Sequence, residues 1–190
     1  MASVPELHAG SLRLVPFRHD HLSQAYVGWL NDPAVVRYSE QRHHAHTPDT
    51  CRAFVRSFDA GPNQLWAIEQ DEAGGHVGNI TATHDVHNRL CDIGILIGAR
   101  KARGRGLGRL AWQTVLDHLC TRPDLRKITG GCLAPNGAMV RIMERCGMRR
   151  DGRRPAHYLL EGLPTDLLYY ARDVQADQGG PPDFRTGAFR

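Results

Sequence analysis

No stretch of the chain approaches the roughly twenty consecutive apolar residues that a membrane-spanning helix needs, so the sequence does not read as a membrane bundle. It also has no dense tract of one charge. Lysine and arginine number 24 against 20 acidic residues, a formal net charge of +4, which attracts anions without marking an obligate nucleic-acid binder. Cys51, Cys91, Cys120, Cys132 and Cys146 stand singly, with no C-x-x-C spacing, which removes the usual grounds for a zinc site or a disulfide framework. They read as buried thiols. Eleven histidines form only one cluster, His43, His44 and His46, read as a surface loop, so no metal site is expected. The start, MASVPELHAGSLRL, has no apolar core behind a basic tip; no secretory signal is supported, and a cytoplasmic protein is the expectation. The pattern G-x-x-x-x-G-K-[ST] is absent too, which leaves nucleoside triphosphate hydrolysis without support.

What is present fits one globular domain. The 190 residues are 41% hydrophobic and 23% charged, close to the globular average. Ser11 to Val15 alternates as a short strand. From His21, the residues Leu22, Ala25, Tyr26, Trp29 and Leu30 recur at helical spacing until Asn31-Asp32-Pro33 stops them. Thr47 and Pro48 open a second helix whose inner stripe is expected to be Cys51, Phe54, Val55 and Phe58. Three β-rich segments follow, Leu65–Ile68, His76–Ala82 and Ile93–Ile97, at hairpin spacing. Leu107, Leu110, Ala111, Val115 and Leu119 then describe an amphipathic helix, Lys127–Leu133 a strand, and Met139, Ile142, Met143 and Cys146 a helix capped by Asn136 and closed by Gly147. Two last strands are expected near Met148–Gly152 and from Ala156 to Asp173. The apolar periodicity ends there, so the domain is placed at residues 1–174 and a flexible tail at 175–190.

The densest basic runs are Arg100-Lys101-Ala102-Arg103-Gly104-Arg105 and the pairs Arg149-Arg150 and Arg153-Arg154. The first continues through Gly106-Leu107-Gly108 into a helix, directly after an apolar strand. Glycines let a loop turn several N–H groups onto one point, and a helix N-terminus adds partial positive charge, so this segment is expected to bind phosphate. Gly106-x-Gly108-x-x-Ala111 satisfies the loose dinucleotide pattern, but three hairpin-spaced strands precede it instead of alternating parallel strands and helices.

Arg103-x-x-Gly106-x-Gly108 at a strand–loop–helix junction resembles the R/Q-x-x-G-x-G/A signature of the GNAT superfamily of acetyl-CoA-dependent N-acyltransferases. Asn136-Gly137-Ala138-Met139-Val140-Arg141-Ile142-Met143-Glu144-Arg145-Cys146-Gly147-Met148 is similar to the N-x-x-S-x-R-V-L-E-K-x-G-F run of the branch that includes ribosomal-protein N-terminal acetyltransferases. The segments Leu12–Val35 and Glu161–Tyr170 resemble that branch as well, so the likeness covers about residues 10–173.

The resemblance implies an α+β fold: a mixed, mostly antiparallel central sheet flanked by helices, with a splayed parallel strand pair holding acetyl-CoA. The pantetheine arm would pair with backbone groups of Ile95, Leu96 and Ile97, and the pyrophosphate would lie on Arg103, Gly104, Arg105, Gly106, Leu107 and Gly108. Asn136 would face the pantetheine, and Arg141 is a candidate for the 3′-phosphate region. The implied chemistry is direct attack of an amine on the thioester. Asp92 takes the place where many members carry a glutamate base, acting directly or through water; His84, Asp85 and His87 are second candidates. The usual acid positions hold Met139 and Met143, so the thiolate leaves unassisted or a donor such as Tyr158 or Tyr38 serves it.

The loop from Arg37 to His44 is expected to wall the amine site, with Tyr38, Glu40, Arg42 and His84 as substrate residues. The acceptor is expected to be a small amine such as an amino sugar, nucleotide-linked ones included. Alternatives are a protein N-terminus and a non-catalytic CoA-binding or nucleic-acid-binding module. Apolar faces on the first helices point to a homodimer.

Overall fold

The computed structural model describes residues 4–174; the expected tail, residues 175–190, lies outside the described residues. Eight strands form one sheet in the order β1-β2-β3-β4-β5-β6-β8-β7. These are β1 (Leu7–Ala9), β2 (Leu12–Pro16), β3 (Gln64–Gln70), β4 (Gly75–Asp85), β5 (Leu90–Ile97), β6 (Lys127–Leu133), β7 (Arg149–Leu160) and β8 (Leu163–Asp173). All neighbours run antiparallel except β5 and β6. The expected mixed, mostly antiparallel α+β architecture is the one found. Among the described residues, no helix is long and apolar enough to cross a membrane.

Side chains alternate between the two faces of a strand, and register therefore sorts the sheet. Trp66 lies opposite Ile80, and Ile80 opposite Ile95. This face packs on α4 (Leu107–Cys120) and α5 (Gly137–Arg145), in a core that includes Leu14, Ile68, Ala82, Ile93, Trp112, Leu116 and Met143. On the other face, Asn79, Thr81 and Thr83 of β4 stand opposite Leu96, Gly94 and Asp92 of β5. That face is covered by α1 (Gln24–Leu30), α2 (Pro33–Val36), a 3-10 turn at Glu40–His43 and α3 (Pro48–Arg56), with Tyr26, Leu30 and Cys51 buried together.

Local chemistry explains most boundaries. Ser23 caps α1 by accepting a hydrogen bond from the Tyr26 amide, so the first helix starts at Gln24, later than its periodicity suggests. Thr47 and Thr50 form a reciprocal capping box ahead of Pro48. Asn136 caps α5 through the Met139 amide, and Gly147 follows it at φ +76°. Two expectations fail. The stripe of α3 buries only Cys51, leaving Phe54 41% exposed and Val55 and Phe58 half-buried. The two last strands form one long hairpin that turns at Glu161-Gly162, both at positive φ, and not at the break expected between residues 152 and 156; there β7 continues with an irregular register at residues 154–158 and Ala156 at φ +48°.

Candidate functional site

β5 and β6 pair over only three positions, Leu90 with Lys127, Cys91 with Ile128 and Asp92 with Thr129. Beyond Asp92 both strands continue, β5 to Ile97 and β6 to Leu133, with no ladder between them. The sheet splits here. A cavity of about 680 Å³ runs through the split: Ile95, Trp112 and Met139 line it from the helix-packed side, Asn79, Thr81 and Thr83 from the other.

Backbone orientation along β5 follows from one hydrogen bond. The Gly98 N–H donates across to Val77 O of β4, so alternation turns Leu96 toward β4 and Ile93, Ile95 and Ile97 toward the gap. Two further contacts agree: Thr129 Oγ1 reaches Cys91 O at 3.5 Å, and Arg103 Nε donates to Ile97 O at 3.2 Å. The expected trio is therefore redistributed. Ile93 and Ile95 present backbone groups to the gap, Ile97 spends its carbonyl on Arg103, and Leu96 contributes its side chain to the cavity wall.

The glycine loop lies at the end of β5. Gly104 and Gly106 stand at φ +73° and +80°, and Gly106 is the N-cap of α4. The Arg103 N–H is used by Arg100 O and the Leu110 N–H by Gly106 O. Among the described residues, nothing accepts a hydrogen bond from the amides of Gly104, Arg105, Gly106, Leu107, Gly108 and Arg109 between them. Six successive free donors, on a loop bent by left-handed glycines and set at a helix N-terminus, make a concave anion site. The two arginine side chains make contacts within the protein. The Arg103 guanidinium clamps the Ile97 and Gly98 carbonyls, and Arg105 pairs with Glu72 at 3.2 Å. Asn136 lines the cavity while capping α5, and Arg141 is exposed on α5 with its guanidinium over Gly137.

Asp92 occupies the apex of the split. Its carboxylate accepts from Thr129 Oγ1 at 2.7 Å. It keeps a solvent-facing edge, yet the groups crowded around it desolvate the charge and raise its pKa above the ordinary aspartate value, against the lowering effect of the Thr129 bond.

The other expected site residues divide. Tyr38 lines the cavity. Glu40 and Arg42 do not: they pair with each other at 2.7 Å, and Arg42 also donates to Leu159 O. His84 pairs in register with Cys91, which puts it on the α4 face, away from the cavity. There it contacts Gln64 and Cys91, and burial lowers its pKa. Tyr158 sits on β7 against His157 and is not part of the cavity wall. Asp85 is engaged with Asn88 in the β4–β5 turn. Of the two methionines, Met143 is fully buried and Met139 reaches the cavity.

Several wall residues are not among the site residues expected from sequence: Asn79, Thr81 and Thr83 on β4, Phe54 on α3, Phe58 in the turn after it, and Cys132 on β6. The β4 signal was present, since polar Asn79, Thr81 and Thr83 alternate with apolar Ile80 and Ala82 on an interior strand. Burial pushes the Cys132 thiol up to about 11, so it is protonated at neutral pH. Among the described residues, no three histidine, cysteine or acidic side chains converge as metal ligands.

Three solved structures illustrate the likeness of the whole fold. A RimL ribosomal L7/L12 alpha-N-protein acetyltransferase in complex with coenzyme A superposes with a TM-score of 0.80 at 18% identity, covering 91% of this chain and 100% of that one. A spermidine N-acetyltransferase from Vibrio cholerae, with CoA and spermine, gives 0.78 at 17% identity over 88% and 98% of the chains. A GNAT-family acetyltransferase from Bacillus anthracis gives 0.76 at 22% identity over 90% and 99%. Similarity at these identities speaks for the fold alone. The family rests on residues 11–149, which match the model of the acetyltransferase (GNAT) domain; the split sheet and its glycine loop are those of a chain that belongs to the GNAT acetyltransferase family.

Proposed function

We propose that this protein transfers an acetyl group from acetyl-CoA to a primary amine by direct attack, with no acyl-enzyme stage. One observation carries the reading: the cavity passes through the split between β5 and β6, beside a loop of amides that have no internal acceptor. These groups fit the cosubstrate. The amides of Gly104 to Arg109 suit a pyrophosphate, and the gap-facing backbone of Ile93 and Ile95 suits an amide-bearing arm. When bound, acetyl-CoA supplies the acetyl group as a thioester already activated toward amines.

The protein's own residues supply the rest. Gap-facing N–H groups of Ile93 or Ile95 are donors for the carbonyl oxygen on which negative charge grows during attack. Asp92 accepts the ammonium proton, directly or through water, and its raised pKa brings it closer to that task than an ordinary aspartate. The buried thiols are poor nucleophiles, since burial raises Cys51, Cys132 and Cys146 and keeps them protonated. Neither methionine donates a proton. Tyr38 is the tyrosine of the expected pair that reaches the cavity; a CoA thiol of pKa about 8–9 also leaves as thiolate without help.

A small amine, an amino sugar among the candidates, and a protein N-terminus are both acceptors of this chemistry. Thiol release from acetyl-CoA over an amine panel tests the reading, with turnover expected for at least one amine and a drop of about a hundredfold in Asp92→Asn. The fully buried Met143 at an acid position favours one rival, a CoA-binding module without catalysis; tight acetyl-CoA binding with no turnover on any amine would establish that rival.

A further inference from the structure

Resting on the acetyl-transfer reading, we propose that the acceptor is a monoamine whose body carries no charge, and that the cavity selects against polyamines, phosphorylated amines and acidic amino acids.

The first observation is what the wall is made of. Among the described residues that line the cavity there is no Asp, Glu, Lys or Arg. The wall instead carries hydroxyls, Ser39, Thr50, Thr81 and Thr83, amides, Gln41, Asn79 and Asn136, and aromatic rings, Tyr38 and Phe54 among them. Its two histidines, His44 and His46, stack edge-on at 6.3 Å, and His46 Nε2 is engaged by Gln41 O at 3.2 Å. A second charge on a ligand, ammonium or phosphate, would meet no opposite charge on this wall, which disfavours it.

The second observation concerns the charges that the loop does carry. Arg37 is held by Glu161 of the β7–β8 turn at 2.9 Å. Arg42 is held by Glu40 and by Leu159 O. These side chains pair outside the cavity, against the tip of the hairpin, and neither guanidinium that could recognise a nucleotide-linked or phosphorylated sugar lines the cavity. The Asp92 carboxylate stands beside the wall, across the ladder from Thr83. It matches one ammonium.

The third observation is an unfilled acceptor. Asn79 is 8% exposed, lines the cavity, and its Oδ1 has no hydrogen-bond partner. Native structures seldom leave such an atom unpaired. It sits on β4 opposite Leu96, two residues along the same face from Thr81, where an N–H or O–H of a neutral acceptor completes it.

The test uses the full chain and matched acceptors: glucosamine against glucosamine 6-phosphate, 2-phenylethylamine against spermidine, and alanine amide against aspartate. At least a tenfold preference in kcat/KM for the uncharged body is expected in each pair where either member turns over. Equal or better use of spermidine, of the sugar phosphate or of aspartate overturns the proposal. Calorimetric titration of the same pairs onto the CoA complex separates selectivity of the cavity from acetyl transfer. A binding preference for neutral members with no acetylation of any amine overturns the transfer reading and leaves the cavity's selectivity standing; equal binding, or no binding of any acceptor, overturns the selectivity. Asn79→Ser is expected to raise the acceptor KM about tenfold while leaving acetyl-CoA affinity within twofold, and a matching loss of both overturns the role of Asn79. Thr83→Glu, which adds the missing second carboxylate, is expected to improve spermidine use at least tenfold.

Discussion

Asp92 and Thr129 form the last rung of the β5–β6 ladder, so the candidate base is fixed at the point where the sheet opens. Desolvation lifts its carboxyl and the Thr129 hydroxyl pulls it back down. Asp92→Asn is expected to cost about a hundredfold in kcat, the lower part of the usual range for a general base. In Thr129→Val the acid limb of the kcat–pH profile is expected to move to higher pH, because the bond that favours the ionised form is gone. An unchanged limb would remove Asp92 from the rate-limiting proton transfer.

A second titratable residue concerns stability. His76 is packed among Phe17, Tyr26 and Trp29, and its Nε2 bonds to Gly78 O. Burial, together with the nearby His21, lowers its pKa from 6.5 to about 4. The unfolded chain therefore takes up a proton below pH 6.5 that the native state refuses. Stability from this group is complete above pH 6.5 and falls as pH drops toward 4, by up to about 3 kcal/mol. Urea midpoints at pH 7 and pH 4.5 are expected to differ less in His76→Phe than in the wild type.

At the scale of elements, the loop before α4 carries the sharpest demand on sequence. At φ +80°, Gly106 meets nothing within 4 Å of an added Cβ, so the cost of alanine there is conformational, about 1–2 kcal/mol. Gly106→Ala is expected to weaken CoA binding roughly tenfold by calorimetry, with little change in the packing of α4. A loss of thermal stability with unchanged affinity would count against the loop as the phosphate site.

The elements also show why legibility was uneven. Local signals carry local structure: Thr47 with Pro48, Asn136 and Gly147 all mark helix ends that the fold keeps. The loop and β5 were readable because glycine placement and an apolar run are encoded in a few adjacent residues. Pairing partners are not. Glu40, Arg42 and Tyr158 were sensible site residues by type, but the β7–β8 hairpin tip takes Arg42 through Leu159 O, and Tyr158 lies along that hairpin beyond the cavity. Phe54 and Phe58 have core spacing, yet α3 covers an open cavity and not a packed sheet. His84 and Thr83 are neighbours in sequence on opposite faces, so one residue of register decides which of them meets a ligand.

For the molecule as a whole, three residue pairs join the β1–β5 part of the sheet to the β6–β8 part. Helix α4 crosses behind the junction and packs against β1, β2, β5 and β6, so the halves are held by side chains where backbone rungs are missing. A ligand that hydrogen-bonds in the split then acts as a stretch of substitute strand. Amide hydrogen exchange reads this directly: the Ile93 and Ile95 N–H groups, directed at the gap, are expected to exchange fast in the free protein and to become protected when CoA binds. The slowing should extend into β6 and β8 beyond any atom the ligand touches, because filling the split turns two partly independent opening units into one. The same three-pair junction that admits the cosubstrate thus makes the sheet's cooperativity conditional on having it.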